Sequence, residues 1–279
     1  MIAKGTGFPI LVIPGIQGRW EWMSPMIDAL TAGHRVITCS LNELRPKIEA
    51  DGAFTAWTHL IDEVLDNARE RQVSIIGVSF GGLIAARYAA RRPERVTSLI
   101  LASTPEPKWH PNAGDMFCVN FPYLALPFFG ARGLTRLLPE LLAARDSWPL
   151  RLQFAQEHAA RILRAPMHPA LSAQWIREWL AYDELSRDCR RITAPTLVVT
   201  GDSKLDRVVP VRDTKKYLRL IPGATHVVLQ GTGHVGVVSK PYRFAELAGQ
   251  FIHAAHADAR SRAAAAEERA TSARTRHAS

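Results

Sequence analysis

Gly77-Val78-Ser79-Phe80-Gly81 is the segment of this chain best suited to chemistry. It ends an apolar run at 72–78 and opens a small-residue helical stretch at 81–92. A strand that turns sharply into a helix holds its central residue in a strained backbone conformation. Glycine is needed on either side, because a Cβ there would strike the neighbouring strand or helix. The Ser79 hydroxyl is thereby presented at the sheet edge, beside N–H groups that the first helical turn leaves unpaired. A serine hydroxyl is a poor nucleophile at neutral pH. It needs a base, and the base needs an orienting carboxylate. The bland alternative is a glycine-rich turn carrying an incidental serine.

The surrounding periodicity must supply that strand and helix. Residues 8–13 (FPILVI) and 35–41 (RVITCSL) read as buried strands. Across 55–68, Trp57, Leu60, Ile61, Val64, Leu65 and Ala68 recur at helical spacing and make one apolar face. Strand patterns return at 72–78 and 96–102. Strands apolar on both faces and joined by helical crossovers imply a parallel sheet, since a half-solvated antiparallel sheet would alternate with polar residues.

Alternation stops after Ser103. Residues 104–191 carry helical and proline-punctuated pieces rich in aromatics, such as 172–182 with Trp175, Ile176, Trp179 and Tyr182 on one face. It resumes with strands at 194–200 and 225–230 and helices at 211–220 and 242–253. The expected architecture is α/β: a mostly parallel, doubly wound sheet of about six strands with an inserted helical cap. Residues 1–103 and 192–256 form the core, and 104–191 form the cap or lid. The tail at 257–279 has no apolar residue larger than Ala and is expected to be disordered or frayed. The insertion leaves the core at the carboxyl end of a strand, where parallel-sheet enzymes keep their functional loops.

Composition narrows the classes. At 279 residues and 47% hydrophobic, the chain can build a full core without a metal or disulfide staple. Cys39, Cys118 and Cys189 are odd in number and widely spaced, which argues against a disulfide framework and against zinc. No run reaches the roughly 18 apolar residues of a membrane span, the nearest being 116–130 with Asn120, Pro122 and Pro127 breaking it, and 8–13 is too short for a signal-peptide core. A cytoplasmic protein is expected. The formal net charge of +9 is spread along the chain, mostly as Arg, with no Lys/Arg run or interleaved aromatic stripe. It reads as a solvated basic surface, and no nucleic acid partner is expected.

This arrangement resembles the α/β-hydrolase superfamily, in the serine-nucleophile branch with a helical cap inserted after a central strand. The resemblance spans residues 5 to about 254. The family's N-terminal H-G-x-x-x loop stands here as Pro14-Gly15-Ile16-Gln17-Gly18, with Trp22 close behind. The stretch Arg92-Pro93-Glu94-Arg95-Val96 matches the segment after the nucleophile helix. Two departures stand out. The chain begins almost on Gly5-Thr6-Gly7-Phe8-Pro9, without the pair of strands that usually precedes it. Asn42-Glu43-Leu44-Arg45-Pro46 replaces a glycine-rich turn.

The resemblance implies a chain order of Ser, then acid, then His. Of the late histidines, only His234 sits in a glycine-flanked loop after a strand, Gly231-Thr232-Gly233-His234, matching the family's G-x-G-H pattern. For the acid, Asp206-Arg207-Val208-Val209-Pro210 fits the family pattern, though two residues farther from Gly201 than usual. Asp202 is a rival that could equally cap a turn, and Glu106 is another, since some relatives take the acid from the preceding strand's loop. The family's oxyanion donors fall on the N–H groups of Phe80 and Ile16, with Gln17 as substitute or supplement. A Ser at the elbow argues against the Asp-nucleophile relatives. No metal or organic cofactor is implied.

The cap's aromatics suggest an apolar small-molecule substrate. Some must pack the cap on the core, and the rest would line an acyl or aromatic pocket over Ser79. An alternative for 117–129 is a lipid-facing lid, a peripheral membrane contact. The implied activity is a carboxylesterase-like serine hydrolase. A carbon–carbon bond hydrolase or acyltransferase with the same triad is the enzymatic alternative, and a non-catalytic ligand-binding relative is the alternative of another class.

Overall fold

The apolar runs become the strands of one sheet. A computed structural model describes residues 1–44, 54, 56–143 and 147–277, with side chains to residue 261. The strands are β1 (Ile2–Lys4), β2 (Phe8–Ile13), β3 (His34–Thr38), β4 (Val73–Val78), β5 (Val96–Ala102), β6 (Thr196–Thr200) and β7 (Thr225–Val228). Among the described residues they form a seven-stranded sheet in the order β1-β3-β2-β4-β5-β6-β7. The six strands from β2 to β7 are parallel, as the periodicity predicts. The seventh corrects the expected six: β1 pairs antiparallel with β3 at the edge. Three residues with partly or fully exposed side chains carry no readable period, and an edge strand needs none.

Helices cover both faces. In chain order they are α1 (Ser24–Leu30), α2 (Ala56–Asn67), α3 (Phe80–Arg91), α4 (Ala113–Asn120), α5 (Leu126–Ala143), α6 (Trp148–Arg164), α7 (Pro169–Leu180), α8 (Leu185–Cys189), α9 (Val211–Thr214), α10 (Tyr217–Leu220), α11 (Gly236–Ser239) and α12 (Pro241–His277). Alternate residues of each strand serve opposite faces. Ile10, Val12 and Ile100 join Met26 and Ile27 of α1 and Phe244 and Ile252 of α12 in one core cluster. Leu11, Ile13, Leu99 and Leu101 join Trp57 and Leu65 of α2 and Leu83 and Ile84 of α3 in the other. Burying each such side chain stabilises by about 1.5–3 kcal/mol, so neither face tolerates a polar alternation. The expected helix at 211–220 is split into α9 and α10, with i→i+3 bonds from Lys216 to Asp213 and from Leu218 to Lys215 tightening the chain between them. The tail expected to be disordered or frayed instead continues α12 as far as His277, in line with the helix propensity of its Ala, Arg and Glu residues. Arg45 and Pro46 of the departing loop lie outside the described residues. Cys39 and Cys189 are buried free thiols, each pushed up to about 12 by loss of solvent.

α4 to α8 fall between β5 and β6. The last of them returns to the core through a buried ion pair. Arg87 of α3 donates to Asp188 of α8 at 2.7 Å, with side-chain exposures of 5% and 0%. The Tyr182 hydroxyl joins the pair, and its ring stacks on Phe54. Removing one member of such a pair leaves a charge in a dry site. Asp188→Ala is therefore expected to lower unfolding stability by about 3–5 kcal/mol, read from urea denaturation. A loss below about 1 kcal/mol, typical of exposed pairs, would refute this role.

Candidate active site

Ser79 directly follows β4 and caps α3 with φ 53° and ψ −123°. That is a positive φ on a non-glycine residue, the strain expected of the turn. Its own N–H donates to Ala102 O at 2.8 Å, carrying the β4–β5 ladder up to the turn. The flanking glycines are there for close approach. A Cβ on Gly81 would lie 2.4 Å from the carbonyl oxygens of Ile13 and Pro14, and one on Gly77 would lie 2.5 Å from Gly82 Cα. Ser79 stays partly exposed.

The late loops bring two groups to it. His234, between β7 and α11, sets Nε2 3.1 Å from Ser79 Oγ. Asp206, between β6 and α9, is 5% exposed and holds Oδ1 3.5 Å from His234 Nδ1. That gap is an ion-pair distance, longer than a hydrogen bond, and Nδ1 has no hydrogen-bond partner. The same Oδ1 accepts the N–H groups of Val208 at 3.1 Å and Val209 at 2.9 Å, which fix the carboxylate from its own turn.

The rival acids sit elsewhere. Asp202 accepts the Gly231 N–H at 2.7 Å and donates its N–H to Thr232, tying one loop to the next. Glu106 pairs with Lys216. Of the three sequence candidates, the structure brings Asp206 to His234.

The N-terminal loop passes beside the serine: a Cβ on Gly15 would sit 3.4 Å from Ser79 Cβ and 3.1 Å from Gln17 Oε1. The Ile16 carbonyl accepts the Ser172 hydroxyl of α7 at 2.8 Å. Phe80 is the first residue of α3, at a position where helical N–H groups lack intrahelical acceptors.

One group near the site escaped the sequence reading. Glu140 of α5 is fully buried, and its Oε2 accepts the N–H of Val235, directly after His234, at 2.9 Å. The available sign was a lone acid inside the apolar run Leu137 to Leu142.

The electrostatics of His234 follow from these neighbours. Burial disfavours its cation, but the negative charges of Asp206 and Glu140 outweigh burial and raise its pKa above the ordinary 6.5. Glu140 is raised too, because burial outweighs its bonds to the Val235 and Gly233 backbone.

A family model described as the alpha/beta hydrolase family matches residues 10–247. This chain belongs to the alpha/beta hydrolase family. It is 30% identical to a 2-hydroxymuconate semialdehyde hydrolase of Pseudomonas putida, over 92% of this chain and 90% of that protein. Its fold is similar to that of the enol-lactonase from Burkholderia xenovorans LB400, with TM-score 0.72 and 17% identity over 90% and 95% of the two chains. An esterase from Thermogutta terrifontis gives TM-score 0.72 and 18% identity over 91% and 93%. Among the described residues, no helix is long and apolar enough to cross a membrane.

The charge balance gives a direct expectation. In an NMR titration of labelled histidine, His234 should change protonation above pH 6.5, staying cationic longer than free imidazole as pH rises. Asp206→Asn removes the largest raising influence and leaves burial, so the midpoint should move down. A midpoint unmoved by that substitution contradicts the electrostatic pairing.

Proposed function

We propose that the chain is a serine hydrolase of acyl compounds with Ser79 as nucleophile, His234 as base and Asp206 as the orienting acid. The 3.1 Å approach of His234 Nε2 to the Oγ of a strained, partly exposed serine carries this reading. Neutral His234 takes the Ser79 proton as Oγ attacks the carbonyl carbon. The resulting imidazolium is stabilised by Asp206. The N–H groups of Phe80 and of Ile16 or Gln17 receive the oxyanion, each worth about 3 kcal/mol in the transition state. His234 then protonates the leaving group, and water, activated by the same imidazole, releases the acyl product. A non-catalytic binding protein would have no need of this set.

The bond broken is that of a carboxylic ester or similar acyl compound. A second reading, carbon–carbon hydrolysis by the same triad, is favoured by the Pseudomonas putida relative. A semialdehyde of muconate has no ester or amide, so a hydrolase of that compound breaks another bond.

Residues 104–191 act as a cap over the serine in this proposal. Phe154, Trp175 and Trp179 are buried, whereas Phe117, Phe121, Tyr123, Phe128 and Trp148 are exposed. Among the described residues, nearly all large exposed hydrophobics fall between Phe117 and Leu163. An apolar substrate arriving through that surface suits them, and a peripheral lipid contact would use the same side chains.

A fluorophosphonate probe should label the intact protein, and Ser79→Ala should abolish labelling. Turnover of p-nitrophenyl esters from short to long acyl chains should fall by roughly 10⁴- to 10⁶-fold in that variant. Absence of labelling in the unsubstituted protein would sink the proposal. Labelling without ester turnover would favour the carbon–carbon reading, tested next with vinylogous keto acids.

A further inference from the structure

Glu140 is a buried carboxylate that the triad reading leaves without a task. It arrives from α5, between β5 and β6, yet its bonds go to the loop that carries His234. Oε2 accepts the Val235 N–H at 2.9 Å, and Oε1 lies 3.4 Å from the Ser239 hydroxyl of α11. A Cβ on Gly233 would come within 2.8 Å of Oε2, so the residue before His234 is also shaped around this carboxylate. His234 is thus bracketed by two backbone positions that Glu140 touches. Burying a carboxylate completely is costly unless it is held by donors, and these donors belong to the histidine's own loop and to α11 directly after it.

We propose that Glu140 is a positioning residue: a strut from the inserted helices that fixes the His234 loop, so that the imidazole meets Ser79 only when α5 is docked. The inference rests on His234 being the base. Three charged groups bear on this cluster: His234 from its loop, Asp206 from the loop after β6, and Arg136 one turn earlier on α5, itself paired with Asp115. Glu140 is the second negative charge beside the imidazole, after Asp206. Asp206 faces the ring at Nδ1 across 3.5 Å, and Glu140 holds the chain that bears the ring.

The test compares Glu140→Gln with Glu140→Ala in the full chain, by fluorophosphonate labelling rate across pH and by NMR titration of His234. Glu140→Ala should slow labelling about 10- to 100-fold through misplacement of the base. Glu140→Gln keeps an acceptor for Val235 and should recover most of that rate. Both should lower the His234 midpoint, because the raising charge is gone. A helix-packing role alone would lower thermal stability and leave the midpoint and the labelling of folded protein unchanged, and that result overturns the proposal.

Hydrogen exchange of the Val235 amide in the unsubstituted protein keeps the idea testable if a variant fails to fold. Slow exchange is expected, and fast exchange refutes the strut. These NMR readouts do not need a reactive serine. An unlabelled wild type would therefore strike the hydrolase reading alone, while fast exchange of the Val235 amide would strike this one.

Discussion

The left-handed backbone of Ser79 is the constraint on which the rest of the molecule depends. A non-glycine residue in that region costs on the order of 1–3 kcal/mol and persists only where its surroundings over-determine it. Here the surroundings are the central sheet. The Ser79 amide is held by Ala102 of β5, and the helix beyond it presses on the carbonyls that end β2. Strand order then decides what else can meet the serine. With β4 central and every neighbour parallel, the loops after β2, β6 and β7 all open at the same edge. Pro14 to Gly18, Asp206 and His234 therefore arrive from distant parts of the chain without any special device.

What could be read in advance was what the backbone writes locally. Runs apolar on both faces gave β2 and β5 to the residue, although Thr97 and Ser98 stand near the start of β5. Glycines around Ser79 and before His234 were legible as residue types, although the close approaches they serve, to Ile13 and Pro14 at Gly81 and to Leu205 and Glu140 at Gly233, are long-range. β1 could not be read, being short and largely exposed. The split of 211–220 depends on turn geometry that periodicity does not encode. Glu140 was hidden for a different reason: its partner lies 95 residues away. A lone acid in an apolar helix signals that something buried must receive it, but not what. The choice among Asp202, Asp206 and Glu106 also needed three dimensions, since all three stand in loops after strands.

The inserted helices are joined to the core by separate polar ties. Arg87 and Asp188 anchor the end of the insertion to α3. Trp22 reaches Ala165 with its indole N–H at 2.8 Å, and Phe154 enters the core cluster beside α1 and α12. Glu140 reaches the histidine loop. Elsewhere α4 to α6 leave leucines, phenylalanines and a tryptophan in solvent. The insertion is thus tied to the core at several separate points while many of its large apolar side chains stay in solvent.

The bond from Ser172 to the Ile16 carbonyl has a geometric corollary. That carbonyl and the N–H of Gln17 belong to one planar trans peptide, so they point in opposite directions and turn together. Fixing the oxygen on α7 aims the Gln17 hydrogen away from α7. The orientation of that peptide is therefore set from α7, 156 residues away in the chain.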